Sequence, residues 1–205
     1  MFEGYWIQAL KNVALLPVKN LDQAKSRLST VLSSNNRRSL AKKLFNHVWK
    51  TCLEAGLRPY AVTSDKTLAA ELGRHSIPDP GHGLNKAIKH AIETLKPTSY
   101  FIILPDLPML TATDLKTICE LGWEYVVCPD KKLRGTNIVY VNTWDGYRPC
   151  FGVNSFIKHL RLHPCPKIYY GLGTALDVDE PRDLSLLALL SPASSRKDKQ
   201  RGHED

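Results

Sequence analysis

Two aspartates separated by one residue, Asp177 and Asp179, are the most informative chemical feature of this sequence. Side chains alternate in direction along an extended segment, so both carboxylates face the same way. A third aspartate, Asp106, closely follows the apolar run at residues 100–104. Adjacent carboxylates repel each other and need arginine, lysine or a hard divalent cation such as Mg²⁺, which takes oxygen ligands. Three carboxylates at two strand ends would be able to hold Mg²⁺ against a polyphosphate.

Basic side chains follow the first apolar run of the chain, in the segment that ends at Leu28. Lys19, Lys25 and Arg27 would be able to fold around a phosphate chain, with loop amides as further donors. The segment lacks the glycine-lysine pattern of a P-loop, and the chain has no Gly-x-Gly-x-x-Gly motif. Charge alone leaves a phosphate-binding loop and a solvated basic loop equally open.

A glycine-rich stretch, residues 79–83, leads into a predicted helix. Gly83 would let a planar base approach the backbone closely, and the side-chain amide of Asn85 would be able to bond a base edge. An ordinary turn, with Asn85 in the first helical turn, explains the same residues.

Small polar residues also gather before a strand, at Thr136, and before a helix, at Gly152 and Ser155. A helix N-terminus near Gly152 favours an anion, so an acidic substrate would be able to dock there. Plain helix capping by Asn154 or Ser155 is the competing interpretation.

Alternating strands and helices are expected to position these groups. Caps and apolar periodicity predict strands at residues 13–18, 59–63, 100–104, 125–128, 137–141 and 167–170, and helices at 37–53, 84–95, 153–162 and 181–190, with shorter helices ending near 73 and 121. This alternation predicts a three-layer α/β/α sandwich with a mostly parallel central sheet. Ligands bind beyond the carboxyl ends of parallel strands, and the flagged polar residues follow strands.

The chain is long enough for one domain, which we place at residues 1–190, and residues 191–205 are expected to be a disordered polar tail. No apolar run approaches the ~20 residues of a membrane span, and the first residues do not resemble a signal peptide. We therefore expect a cytoplasmic protein without a membrane partner, and a homodimer is the default assembly. Five cysteines without a close pair indicate reduced thiols. Cys150, His159, His163 and Cys165 have zinc-ligand chemistry but not the spacing of a zinc site.

A formal net charge of +8 favours an anionic partner, either nucleic acid or a small phosphorylated substrate. The basic residues are spread out, and aromatic residues are not interleaved with them as in a base-stacking surface. No nucleic-acid-binding motif is recognisable, so no nucleic-acid partner is expected and a nucleic-acid-binding module is the minor alternative.

Six short motifs occur in an order typical of one enzyme family. They are Pro17-Val18-Lys19 with Ala24–Leu28, Gly83-Leu84-Asn85, Asp106-Leu107-Pro108, Gly135-Thr136-Asn137, Phe151-Gly152 with Ser155-Phe156 and His159, and Asp177-Val178-Asp179 with Asp183-Leu184. Together they resemble the 2-phospho-L-lactate guanylyltransferase family, within the MobA-like nucleotidyltransferases, whose members help to build the deazaflavin coenzyme F-420. The resemblance implies a fold like that of the nucleotide-diphospho-sugar transferases.

The resemblance also implies roles for the motif residues. Lys19, Lys25 and Arg27 would lie along the GTP phosphates, with Lys25, Arg27 and Asp106 as the catalytic groups. The other implied roles are guanine contacts for Gly83 and Asn85, Mg²⁺ binding for Asp106, Asp177 and Asp179, and binding of a phosphorylated three-carbon acid for Thr136, Gly152 and Ser155. Family members use 2-phospho-L-lactate, phosphoenolpyruvate or 3-phospho-D-glycerate.

One departure concerns the acid. Where the family commonly has Gly-Gly-Thr-Asn, this chain has Arg134 before Gly135. The choice among the three acids therefore stays open, as does the number of metal ions. Another MobA-like enzyme, acting on a molybdopterin or a sugar phosphate, is the runner-up, but those enzymes usually begin with a glycine-rich loop that this chain lacks.

Overall fold

A computed structural model describes residues 11–190 of the chain, and the predicted tail at 191–205 lies outside the described residues. The strands are β1 (Val13–Val18), β2 (Arg58–Thr63), β3 (Ser76–Pro78), β4 (Ser99–Ile103), β5 (Tyr125–Pro129), β6 (Thr136–Asn142) and β7 (Lys167–Ile168). The helices are α1 (Ser34–Glu54), α2 (Lys66–Leu72), α3 (Leu84–Leu95), α4 (Ala112–Glu120), α5 (Ser155–Leu160), α6 (Leu172–Ala175) and α7 (Pro181–Leu190). None of the described helices is long and apolar enough to cross a membrane.

The seven strands form one sheet in the order β3-β2-β1-β4-β6-β5-β7. All the strand pairs are parallel except the two that β6 makes with β4 and β5. Apolar side chains of β1 alternate between the two faces: Leu16 packs in a cluster with Phe45 of α1, and Leu15 packs in a cluster with Ile88 of α3. Helices therefore cover both faces, and the predicted three-layer sandwich with a mostly parallel sheet is confirmed.

The reversed strand β6 has a consequence for ligand binding. Because β6 runs against its neighbours, its first residue, Thr136, lies opposite Pro129 at the end of β5. The start of β6 thus joins the carboxyl ends of the parallel strands at one edge of the sheet, where ligands bind in folds of this class.

Helix α5 is shorter than predicted. It spans Ser155–Leu160 instead of 153–162, because Gly152 and Asn154 both have positive φ angles, +121° and +54°. A left-handed residue directly before the helix prevents an earlier start. The expected cap is also absent, since the side chain of Asn154 makes no capping hydrogen bond. The short elements β3 and α6 were not predicted.

Candidate active site

Lys25 joins two of the three predicted metal ligands. Its Nζ lies 2.7 Å from Asp106 Oδ2 and 3.1 Å from Asp179 Oδ1. The backbone brings the carboxylates together, because Val178 N–H donates to the carbonyl of Asp106 at 3.2 Å. Arg27, which is largely exposed, reaches Asp179 Oδ2 at 3.4 Å. The sequence-predicted catalytic residues Lys25, Arg27 and Asp106 thus meet at one place.

The Lys25 ammonium is held in its charged form. Burial alone would lower the pKa of Lys25, but the attraction of Asp106 and Asp179 outweighs it and raises the pKa. The side chain is only 9% exposed. Lys25 also has a left-handed backbone, with φ +54°, between two short 3-10 turns. This conformation costs free energy for a residue with a side chain, which is typical of functional sites.

Asp177 is paired with a different lysine. Lys131 Nζ lies 3.0 Å from both Asp177 Oδ1 and Asp183 Oδ1. Desolvation raises the pKa of Asp177, and Lys131 only partly opposes this. Asp177 and Asp179 nevertheless line the same polar cavity, of about 70 Å³, as expected from their alternation around the buried Val178.

Asp183 has a structural role. Its Oδ2 accepts the backbone N–H groups of Asp179 at 2.9 Å and Glu180 at 2.7 Å. These bonds, together with Lys131, outweigh the desolvation of the carboxyl and lower its pKa. From the first turn of α7, Asp183 therefore fixes the backbone that enters the helix and carries Asp179.

One oxygen atom of the three aspartates is suited to bind a cation. Asp106 Oδ1 is buried and has no hydrogen-bond partner, and a buried oxygen of this kind normally has one. Within residues 11–190, however, no three carboxylate, imidazole or thiol groups converge as a ready-made metal site. The ammonium groups of Lys25 and Lys131 provide the positive charge at the three aspartates instead. Mg²⁺ binding by Asp106, Asp177 and Asp179 stays a prediction.

A larger cavity, of about 160 Å³, lies beside the end of β1. Its lining includes Lys19, Lys25, Asp106 and Asp179, with apolar side chains of α1 as a floor. All three basic residues of the predicted phosphate loop therefore face one of the two neighbouring cavities, since Arg27 lines the smaller one. This placement favours the phosphate-binding interpretation over a solvated basic loop.

Asn85 connects two predicted subsites. Its Nδ2 donates to the carbonyl of Phe151 at 3.0 Å, and its Oδ1 accepts the Phe151 N–H at 2.8 Å. Gly83, with φ +90°, caps the same helix and has open space where a side chain would stand. The side chain of Asn85 thus fixes the segment that leads to Gly152. Guanine contacts by Gly83 and Asn85 stay a prediction.

Two of the predicted acid-binding residues, Thr136 and Ser155, are almost fully buried. Thr136 Oγ1 lies 2.9 Å from His159 Nδ1, and Ser155 begins α5. Gly152, which directly follows Phe151, is exposed. The structure brings the three residues to one region, but the side chains of Thr136 and Ser155 face the protein interior more than the sequence suggested.

Sequence reasoning missed two contacts that shape this region. Lys131 is one of two adjacent lysines in a charged loop, so nothing in the sequence marks its pairing with Asp177. Asn137 donates from Nδ2 to the carbonyls of Thr174 at 3.0 Å and Ala175 at 3.2 Å, which anchors the chain just before Asp177. For Asn137, membership of the Gly135-Thr136-Asn137 motif was the sequence signal that marked the residue as important.

Arg134 is exposed and extends from a tight loop. A Cβ at position 135 would lie 2.7 Å from Asp130 Oδ2, so a larger residue there would displace the Asp130 side chain. The carbonyl of Arg134 accepts the Phe156 N–H at 3.0 Å, so this loop contacts the first turn of α5. The backbone of Arg134 therefore stands beside the predicted acid-binding region.

His159 is expected to destabilise the fold at acid pH. Burial lowers the pKa of His159 from its usual 6.5 to about 4. Between these two values the unfolded chain binds the proton more readily, so the free energy of unfolding should fall as pH falls through this window. The full effect is about 3 kcal/mol. Urea unfolding at several pH values should show a steeper acid loss for the unchanged protein than for His159→Asn, and equal losses would contradict the assignment.

A family model described as guanylyl transferase CofC-like matches residues 12–198. The chain belongs to this family. Phosphoenolpyruvate guanylyltransferase of Thermobaculum terrenum is 33% identical over 199 residues, which cover 90% of this chain and 86% of that protein. 2-Phospho-L-lactate guanylyltransferase of a Methanocaldococcus species is 28% identical, covering 92% and 86%.

A solved structure agrees on the fold. A Desulfovibrio desulfuricans protein, assigned as a nucleotide-diphospho-sugar transferase, superposes with a TM-score of 0.70 at 15% identity, covering 91% of this chain and 90% of that chain. The predicted fold class and the predicted guanylyltransferase family are both confirmed. The edge of the sheet that carries Lys25 and Asp106 is the candidate site in this family member.

Proposed function

We propose that the protein transfers GMP from GTP to a phosphorylated three-carbon acid and releases pyrophosphate, as a step in the biosynthesis of the deazaflavin coenzyme. The observation that carries this proposal is the Lys25 ammonium, which joins Asp106 and Asp179 beside a cavity lined by Lys19. Family membership supplies the donor chemistry, and the names of the two relatives supply the acid class.

In the proposed reaction, a phosphate oxygen of the acid attacks the α-phosphorus of GTP. A new phosphorus–oxygen bond forms, the bond between the α-phosphorus and the bridging oxygen breaks, and pyrophosphate leaves with that oxygen. A phosphate monoester is already anionic near neutral pH, so the attack needs no general base. The protein contributes alignment of the two phosphates and positive charge around them.

The basic residues would have different roles in this reaction. Lys25 and Arg27 stand at Asp179 and would turn toward the leaving pyrophosphate, with Lys19 on the nucleotide side of the larger cavity. Gly83 and Asn85 would border guanine, and Thr136, Gly152 and Ser155 would hold the acid. Asp106, with its unpaired oxygen, is the first candidate ligand for Mg²⁺, together with Asp177 and Asp179. When bound, Mg²⁺ would neutralise charge on the phosphate oxygens.

We also propose cytoplasmic residence and a homodimer, which agree with a family of small-molecule enzymes. The acid is not fixed by the residues described, because phosphate and carboxylate groups are common to all three candidates.

A direct test measures pyrophosphate release and product mass with each acid and each nucleoside triphosphate in turn. We expect GTP to exceed ATP, CTP and UTP by at least about 10²-fold with one of the three acids, since hydrogen bonds to a base edge give this level of discrimination. A protein that uses all four nucleotides equally would contradict the guanine assignment. Product with a sugar phosphate or molybdopterin, and none with the acids, would support the runner-up.

A further inference from the structure

His159 lies at the centre of the predicted acid-binding region without touching any predicted metal ligand. It is fully buried on α5, one turn after Ser155. Its ring stacks on Tyr147, with centroids 6.0 Å apart, and meets Phe151 edge-on at 4.7 Å. The ring therefore has one fixed orientation, between the start of β6 and the segment at residues 147–151.

The hydrogen bonds of the ring identify where its proton lies. The N–H of Cys150 points at His159 Nε2, at 3.4 Å, and a backbone N–H can only donate. Nε2 is therefore an acceptor without a proton, and the Tyr147 hydroxyl, also 3.4 Å away, can donate to it as well. A neutral imidazole carries one proton, so that proton is on Nδ1, which lies 2.9 Å from Thr136 Oγ1. The burial that lowers the pKa of His159 keeps the ring neutral.

This tautomer determines what Thr136 can do. The carbonyl of Ser155 and the Thr136 oxygen share the proton of Nδ1 as acceptors. Because a protonated Nδ1 has no lone pair for the Thr136 hydroxyl hydrogen, that hydrogen is left to donate elsewhere. Within residues 11–190, the hydroxyl has no other hydrogen-bond partner. Thr136 is the first residue of β6, at the edge of the sheet where β5 ends, and is almost fully buried, so an acid that meets its hydroxyl would enter beside the exposed Gly152. A hydroxyl that accepts an N–H is also a stronger donor, because hydrogen bonds in a chain polarise one another.

We infer that His159 is a positioning residue that fixes the Thr136 hydroxyl as a hydrogen-bond donor to an oxygen of the anionic acid. The inference rests on the proposed function for the identity of the acid. In the opposite tautomer, with the proton on Nε2, the Thr136 hydroxyl would donate its hydrogen to Nδ1. It would then present only lone pairs to the acid, and these repel an anion.

The tautomer can be measured on the ligand-free protein. We expect ¹⁵N NMR of histidine-labelled protein near neutral pH to show His159 with a protonated Nδ1 and an unprotonated Nε2. Assignment uses the loss of the signal in His159→Asn. A protonated Nε2 would overturn the inference, and this result does not depend on whether the protein is active.

The second experiment compares Michaelis constants for the acid and for GTP. Thr136→Val removes the hydroxyl at constant shape, and we expect it to raise the KM for the acid about 10-fold or more, while the KM for GTP changes less than about 2-fold. Thr136→Ser keeps the hydroxyl and should stay near the unchanged protein. Equal KM values for the acid in Thr136→Val and the unchanged protein would refute the inference.

Variants of the histidine separate positioning from packing. His159→Phe keeps a ring but donates nothing, so it should raise the KM for the acid as Thr136→Val does. His159→Asn places an amide N–H near the position of Nδ1 and should recover much of the loss. His163→Asn is the matched control, since His163 packs on Trp144 and has no contact with Thr136. Equal defects in His159→Phe and His159→Asn would indicate packing alone.

The result also separates this inference from the proposed function. If the unchanged protein makes product with none of the acids, the proposed function fails. If it makes product and Thr136→Val binds the acid normally, only the inference fails. If circular dichroism shows that His159→Phe does not fold, the comparison of Thr136→Val with Thr136→Ser and the NMR measurement still test the inference.

Discussion

Asp106→Asn is expected to lower kcat by about three orders of magnitude while the fold survives. Asparagine keeps the shape of the side chain but removes the charge that holds Lys25 Nζ at 2.7 Å. It also replaces the buried, unpaired Oδ1, which is the atom best placed to meet a cation. The phosphates would then lose a lysine held in a fixed position, and a bound cation would lose a charged ligand. Steady-state kinetics with GTP and the preferred acid measure the effect.

Asp145→Asn is the matched control for this change. Asp145 is exposed and follows β6, so it lies at the opposite edge of the sheet from Asp106. Its kcat should match that of the unchanged protein, and both variants should unfold at similar temperatures. An Asp106→Asn protein that turns over near the unchanged rate would remove Asp106 from the catalytic centre.

Lys25→Met should cause the second-largest loss, about 10²- to 10³-fold in kcat/KM for GTP. Methionine has nearly the length of lysine but leaves Asp106 and Asp179 without their shared cation. The two carboxylates then repel the incoming phosphates as well as each other. An unpaired, partly buried carboxylate should also cost about 1–3 kcal/mol of stability. Enzyme kinetics and urea unfolding measure the two effects.

The control for Lys25→Met is Lys89→Met. Lys89 is exposed on α3, and its one ion pair among the described residues is with Glu93, one turn away. This variant should keep normal kinetics and lose little stability, since exposed helical ion pairs contribute about 0.3–0.5 kcal/mol. If Lys25→Met behaved like Lys89→Met, the ammonium would be a structural counter-ion without a role in transfer.

Much of the scaffold could be predicted because its signals are local. The range of α3 was predicted without error from its apolar periodicity, and α4 ends at Glu120, one residue before the predicted end. The edge of the sheet that carries the site followed from the rule for parallel strands. The direction of β6 could not be predicted, because a buried strand has the same apolar pattern in either orientation.

The electrostatics of the site could be predicted only in part. The sequence marked Lys25, Asp106 and Asp179 as members of one site, but not that the lysine lies between the two carboxylates. That arrangement depends on the fold of a loop with a left-handed residue, which lysine does not signal. The sequence marked His159 as part of a motif but did not reveal its contact with Thr136, since a single histidine on a short helix has no pattern that identifies its partners.

The link between Asn85 and Phe151 has a thermodynamic consequence. Because Asn85 holds both backbone groups of Phe151, the start of α3 and the segment before Gly152 shift as one unit. If guanine binds beside Asn85 and the acid beside Gly152, as proposed, a substrate that shifts this unit on one side would alter binding on the other. Linkage would make such cooperativity symmetric: the factor by which the nucleotide tightens the acid would equal the factor by which the acid tightens the nucleotide. We therefore expect the two substrates to be recognised as a pair.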